Sequence, residues 1–368
     1  MKILQFGKFF PPDVGGIENV IYEITEGLSQ KINCDVLCSN SKNKTVIEKK
    51  DKYTVIRTAS LGKIFSTSIS PVIICWLKKI CNNYDLIHIH LPDPMASLAY
   101  FVARPKTKLV IHWHSDIIKQ KNLLIFYKPL QNWILKRANK ILVTSPNLLE
   151  DSPFLKKFKE KCEIVPLFID IEEFQARKVK KINFQNQNNK KIVLFVGRLV
   201  YYKGVEYLIR AMKEVDALLL IAGDGPLRGN LEKQVKELNL SNKVIFLGRL
   251  SDEEIKYCYQ ICNVFVLPSI ENTEAFGLVQ LEAMLSSKPV VNTNLPTGVP
   301  FVSKNQETGI TVSSRDSKAL AQAINTILNN PQLADEFGKN GVKRVNEIFS
   351  KEKNLEKILS IYNQVLNE

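Results

Sequence analysis

Along this chain, short runs of β-branched and other apolar residues alternate with longer stretches whose apolar positions recur every three or four residues. The short runs predict strands at KILQF (2–6), CDVLC (34–38), YTVIRT (53–58), LIHIH (86–90), KLVIHW (108–113), KILVTS (140–145) and CEIVPL (162–167). A second series follows at KIVLFVG (191–197), ALLLIAG (217–223), KVIFLG (243–248), VFVLPS (264–269), PVVNT (289–293) and GITVS (309–313). Helical spacing fills most of the gaps, as in Ile17, Val20, Ile21, Ile24 and Leu28. Strands alternating with helices predict parallel sheets covered on both faces. The polar stretch KVKKINFQNQNNKK (178–191) separates the two series and reads as a linker. The expected fold is therefore α/β, with two doubly wound Rossmann-like domains, ligand loops at the carboxyl ends of their strands and a cleft between them. The segment 353–366 is amphipathic, and its plain reading is a terminal cap on the second domain.

Length agrees with two domains, since 368 residues exceed what one core usually supports. No apolar run is long enough to span a membrane, and the start MKILQFGKFF lacks signal-peptide features, so a cytoplasmic location is expected. Seven scattered cysteines read as buried thiols rather than a disulfide framework. Charge changes the picture more. Residues 1–168 carry a net +11 of the chain's +14, with lysines interleaved among Trp, Phe, Tyr and Leu in WLKKICNN, IIKQKNLLIFYKPLQNWILKRANK and FLKKFKEK. That pattern suits an anionic membrane surface, or else a solvated lysine face. No zinc-finger, basic-zipper or RNP motif favours nucleic acid.

Both series open alike. Lys8 and PPDVGGIENV place Gly15 and Gly16 before a helix, and VGRLVYYKG places Arg198, Lys203 and Gly204 before another. Glycine amides and fixed cations at a helix start suit phosphate, although Gly-Gly also reads as a plain turn. Neither opening has G-x-G-x-x-G or Walker A spacing, which disfavours a nicotinamide dehydrogenase or a P-loop ATPase. ENTEAFGLVQLEAM (271–284) then sets Glu274 and Glu282 eight positions apart. With a helix beginning near Phe276, the carboxylates would lie about 12 Å apart along the axis and within roughly 80° of one another. The amides of Phe276, Gly277 and Leu278 would lie between them. A sugar, a diphosphate and a ribose diol would match that order; two solvated glutamates are the plainer reading. All four histidines come as H-x-H pairs, His88 with His90 and His112 with His114. A metal-dependent hydrolase is one reading, and one inward histidine per strand plus one at the cleft is the other. The absence of any D-x-D argues against a metal-dependent transferase of the GT-A type.

PSIENTEAFGLVQLEAM resembles the E-x7-E motif of the retaining family-four glycosyltransferases with the GT-B fold. GRLVYYKG resembles their phosphate-binding arginine and lysine, PPDVGGIE their first glycine-rich loop, and AGDGP (222–226) and FLGRL (246–250) stand in family order. The resemblance implies a first domain of residues 1–168 with 355–368 crossing back, and a nucleotide-sugar domain of 169–354. It implies that Glu274 binds donor-sugar hydroxyls and Glu282 the ribose. By the same resemblance Arg198 and Lys203 would hold the leaving diphosphate, with Gly15, Gly16 and the Ala275, Phe276, Gly277 and Leu278 segment. Gly248, Arg249, Leu250, Pro268 and Ser269 would border the base. His114 would touch the sugar near its reacting carbon, with His112 second in line, and Asn294 and Thr297 would either contact sugar hydroxyls or cap their turn. Retention without cofactor or metal is implied. The chain departs from the family pattern at Leu167 and Phe168, where Asn-Gly is usual, and at Ser287, where glycine is usual. The Thr-Gly-Val loop (297–299), HSDIIKQK (114–121) and E-A-F-G resemble bacterial O-antigen mannosyltransferases. The implied donor is GDP-mannose, with UDP-sugars as the alternative. The implied acceptor is a glycan or lipid-linked glycan at the inner face of the plasma membrane.

Overall fold

A computed structural model of the chain describes residues 1–13, 15–64, 67–117, 121–186 and 190–368. It divides into two compact units, Met1–Pro166 with Glu352–Glu368, and Leu167–Lys351.

The first unit holds β1 (Lys2–Phe6), β2 (Asn33–Ser39), β3 (Val46–Lys49), β4 (Thr54–Thr58), a short pair β5 (Lys63–Ile64) and β6 (Thr67–Ser68), β7 (Leu86–Leu91), β8 (Lys108–Trp113), β9 (Lys140–Val143) and β10 (Cys162–Ile164). Eight of these form one sheet in the order β10-β9-β8-β7-β1-β2-β4-β3. Every neighbour in it is parallel except β3, which runs antiparallel to β4 along the edge. The sequence pattern misses β3, because only alternate residues of VIEK are even half-buried. On one face, Ile87, Ile89, Leu91, Ile111 and Trp113 pack in an apolar cluster with Leu77, Tyr100 and Ile134 from helices Val72–Ile80, Pro94–Ala103 and Lys121–Arg137.

The other face of β7 and β8 is polar. His88 and His90, two residues apart on one strand, share a face, and register places His90 opposite His112 on β8. All four imidazoles are buried, and neighbouring rings lie with centroids 4.3 to 5.5 Å apart. The expectation of one inward histidine per strand fails for that reason: a two-residue spacing turns both the same way. Helix Lys351–Asn367 brings Tyr362 onto this face, with its hydroxyl 2.6 Å from His88 Nδ1 and 3.0 Å from Gln5 Nε2.

The second unit holds β11 (Ile192–Val196), β12 (Leu218–Ala222), β13 (Val244–Gly248), β14 (Val264–Leu267), β15 (Val290–Thr293) and β16 (Gly309–Val312). They form a wholly parallel sheet in the order β13-β12-β11-β14-β15-β16. The order reverses direction at β11, where strands depart to either side, and loops at such a switch point are free to hold a ligand. Strands such as IVLFV and LLLIA are buried at every residue, as a sheet covered on both faces requires. Among the described residues no helix is long and apolar enough to cross a membrane. The cysteines are free thiols and mostly buried, but Cys75 is exposed.

Burial holds all four histidines below the usual imidazole range, with His112 pushed down to about 3. The unfolded chain takes up protons on them below about pH 6.5 while the folded chain does not. Their contribution to stability is therefore present above that pH and lost as pH falls, by up to about 1.4 kcal/mol per pH unit for each histidine. Asp93, pushed up to about 6 by burial, works in the opposite sense and offsets one of them. Urea unfolding between pH 7.5 and 5 should show the first unit weakening with acid, and His112→Phe should reduce the slope by one proton. An unchanged slope would mean that His112 is protonated in the fold.

Candidate active site

The loop after β11 carries Gly197 and the exposed Arg198, then a single turn at Tyr201–Lys203 that ends on Gly204 with φ of +64°. A Cβ at Gly204 would stand 2.2 Å from the carbonyl oxygen of Pro268, so the loop lies directly on the backbone that follows β14. Ile270 N donates to Tyr202 O at 2.8 Å and seals the contact. Lys203 Nζ is thereby held 2.5 Å from Glu274 Oε2, and Ser269 Oγ donates to the same oxygen at 3.1 Å. The two charged side chains are only 11% and 9% exposed. Ser269 is fixed in turn by Thr293 Oγ1, which donates to its carbonyl at 2.5 Å.

Glu282 sits differently from the expectation. Its helix is Val279–Leu285, beginning three residues later than Phe276. Gly277 takes φ of +75°, and a Cβ there would meet Leu267 Cδ2 at 2.5 Å, so the chain is left-handed at that residue and residues 274–278 precede the helix rather than belong to it. The 100° step therefore does not relate the two glutamates. Each has its own partners instead. Glu282 Oε2 accepts from Tyr259 Oη at 3.0 Å, and Oε1 lies 3.4 Å from Arg177 Nη1. Burial raises its carboxyl above the usual range, opposed by the tyrosine hydroxyl and the guanidinium. The sequence reading missed Arg177 and Tyr259. Arg177, four residues after Glu173, reads as a surface pair, and nothing local ties it to a carboxylate 105 residues away.

The other expected positions in this unit divide by exposure. Gly248 ends β13 with φ of +70°, and its carbonyl accepts from Gly223 N at 2.7 Å; Arg249 is exposed and Leu250 half-buried. Ala275 O accepts from Gly298 N at 2.8 Å, Phe276 is buried against Phe349, and Leu278 is half-buried. Thr297 Oγ1 caps its own turn by accepting from Val299 N at 3.4 Å, while Asn294 is exposed. Ser287, where the family pattern has glycine, has φ of +56°, so the left-handed backbone persists without the glycine.

His114, Gly15 and Gly16 belong to the first unit. His114 N donates to Leu91 O at 2.9 Å and its Nε2 lies 3.0 Å from His90 Nδ1. Gly16 opens helix Gly16–Leu28, and among the described residues a Cβ there would meet nothing within 4 Å, whereas at Gly15 it would meet the Glu18 carboxylate. His88, His90 and His112 bring ring nitrogens within 4.8 Å of one another. A tetrahedral zinc ion with bonds of 2.0–2.1 Å would hold them about 3.3 Å apart. Both nitrogens of His90 are already hydrogen-bonded, to His114 and Gln5, and the rings lie within 10° to 33° of parallel. In-plane lone pairs then run side by side rather than converge, so this set does not fit a metal ion as it stands.

Similarity to known proteins follows the same division. The profile "Glycosyl transferases group 1" matches residues 177–344, and "Glycosyltransferase Family 4" matches residues 14–173. O-antigen chain mannosyltransferase C of Escherichia coli is 31% identical over 368 residues, covering 100% of this chain and 99% of that one. D-rhamnosyltransferase WbpZ of Pseudomonas aeruginosa is 30% identical, covering 95% and 92%. Among solved structures, sucrose-phosphate synthase from Thermosynechococcus elongatus superposes with a TM-score of 0.77 at 24% identity over the full length of both chains, a likeness of fold. With a GT-B fold and relatives of this kind over its whole length, the chain belongs to the group 1, family 4 glycosyltransferases.

Proposed function

We propose that this enzyme transfers mannose from GDP-mannose, with retention and without a metal ion, to a glycan or lipid-linked glycan in the assembly of a cell-surface polysaccharide such as O-antigen. The observation that carries this reading is the buried Lys203–Glu274 pair with Ser269, beside the exposed Arg198. A cation, a carboxylate and a hydroxyl at neighbouring strand ends supply what a diphosphate-linked sugar needs: a countercharge for phosphate and acceptors for hydroxyls. The choice of sugar is supported by the full-length relatives, one a mannosyltransferase and one a D-rhamnosyltransferase. D-Rhamnose is 6-deoxymannose, so both names carry the manno configuration.

In this mechanism the bond between the anomeric carbon and the phosphate oxygen breaks first. Its electron pair leaves on the diphosphate, and the sugar takes oxocarbenium character. Lys203 and Arg198 stabilise the leaving charge, Glu274 orients the sugar through its hydroxyls, and Glu282 takes the ribose. The acceptor hydroxyl attacks from the face the phosphate leaves, and the departing phosphate takes its proton. Configuration is retained.

The first unit supplies the membrane side of the proposal. It exposes Leu61, Val72, Leu98, Val102, Ile125 and Phe126, the last two 70% and 83% exposed, within the basic part of the chain. Apolar side chains among lysines suit insertion at an anionic lipid surface.

Arg198→Ala and Lys203→Ala should each lower turnover by about 100-fold or more, by analogy with loss of one transition-state donor. Arg198 is exposed, so its variant should keep wild-type stability. Lys203→Ala strands a buried carboxylate and should also unfold earlier, by about 3–5 kcal/mol. Wild-type turnover in both variants would end this assignment. Thermal shift tests the donor: GDP-mannose at 100 times its dissociation constant adds about 2.7 kcal/mol, and UDP-glucose, UDP-galactose and UDP-N-acetylglucosamine leave the transition where it is. A shift with one of those instead moves the donor to a UDP-sugar. Flotation with vesicles tests the surface: binding should require anionic lipid, weaken with salt, and weaken again in Phe126→Ser. Equal binding to neutral and anionic vesicles would count against it.

A further inference from the structure

We propose that His90 is a positioning residue for His114, and that Gln5 and Tyr362 behind it decide which ring nitrogen of His114 carries the proton. The inference rests on the reading of His114 as the histidine at the transferred sugar. Its basis is a row of hydrogen bonds through the buried polar face of the first unit: His114 Nε2 to His90 Nδ1 at 3.0 Å, His90 Nε2 to Gln5 Oε1 at 2.9 Å, Gln5 Nε2 to Tyr362 Oη at 3.0 Å, and Tyr362 Oη to His88 Nδ1 at 2.6 Å.

The direction of the row follows from one amide. Gln5 Nε2 donates to the tyrosine oxygen and to Cys34 Sγ at 3.6 Å, so its carbonyl oxygen is the atom that faces His90. A carbonyl only accepts, so His90 carries its hydrogen on Nε2. Burial keeps that ring neutral, which leaves Nδ1 bare, and Nδ1 then accepts from His114 Nε2–H. At the far end the tyrosine hydroxyl accepts from Gln5 and donates to His88. Each interior member gives one hydrogen and takes one, all in the same sense. Reversing a single member would set two hydrogens or two lone pairs against each other in a buried place, at the cost of an unmade hydrogen bond. The row therefore holds or turns as a unit.

For His114 the result is specific. Its main-chain N–H is bound to Leu91 O, its ring is held through Nε2, and the nitrogen left for a ligand is Nδ1 without a hydrogen. In this state His114 accepts a hydrogen bond from a sugar hydroxyl and cannot donate one. Among the described residues His88 Nε2 and both nitrogens of His112 have no hydrogen-bond partner, so the direction is set through Gln5 and Tyr362 and not through those two rings.

The experiment is long-range proton–nitrogen correlation on the full chain labelled with 15N-histidine at pH 7.5, with signals assigned from single His→Gln variants. The expected result is Nε2–H for both His90 and His114. Tyr362→Phe removes one oxygen from the far end of the row. It should move both histidines towards a mixture of tautomers and lower kcat at least about tenfold, as wrong imidazole tautomers do, with the donor KM unchanged. A core residue with only a structural role would lower the melting temperature and leave the tautomers alone. Nδ1–H on His114 in the wild-type chain overturns the proposal, and that measurement needs no variant to fold. Unchanged tautomers or unchanged kcat in a folded Tyr362→Phe variant overturn it too. Failure of the underlying reading looks different: His114→Ala would then keep its turnover while the tautomer result stood.

Discussion

A parallel sheet can bond its strands on both sides only if each strand returns by a crossover on one face or the other. Both faces are then covered, and the places left for chemistry are the loops at the carboxyl ends of the strands. Arg198 follows β11, Gly248 ends β13, Ser269 and Glu274 follow β14, Asn294 follows β15, and His114 follows β8. In the second unit Lys203, Ser269, Glu274 and Thr293 meet because β11, β14 and β15 are neighbours in one sheet.

Within that constraint the loops after β11 and β14 are brought to backbone contact by a single left-handed glycine, and the contact buries a lysine against a glutamate. Such a pair is poor evidence of stability, since taking both charges out of water costs about as much as their attraction returns. It is better understood as poise. On the proposed reading, a diphosphate arriving at Lys203 would find a cation already desolvated and oriented and would compete with Glu274 for it, leaving that carboxylate for sugar hydroxyls. Glu282 is poised in the same way between Arg177 and Tyr259.

Most of the strands were legible because burial on both faces writes nearly continuous apolar runs such as LLLIA. The edge strand β3 was not, since VIEK is half exposed and its pairing with β4 is a matter of register rather than composition. The two glutamates were visible as a pair, but their geometry was not: a helical step was assumed where Gly277 turns left-handed. Histidines at spacing two are visible as well, but one inward histidine per strand is the wrong expectation, because alternation puts both members of a pair on one face. Arg177 and Tyr362 were out of reach for a different reason. Their partners lie 105 and 274 residues away, and no local pattern records a contact of that span.

The reach of Tyr362 bears on how the molecule comes into being. A ribosome releases chain from the amino end at about 5–20 residues per second, so β1, β7 and β8 emerge long before the helix that carries this tyrosine. Until then Gln5 and His88 lack the hydroxyl that joins them, and the polar face of the first sheet has no cover from that helix. The second unit, whose residues all emerge in between, has its whole sequence available first. The earliest part of the chain to be made is thus the last to be completed.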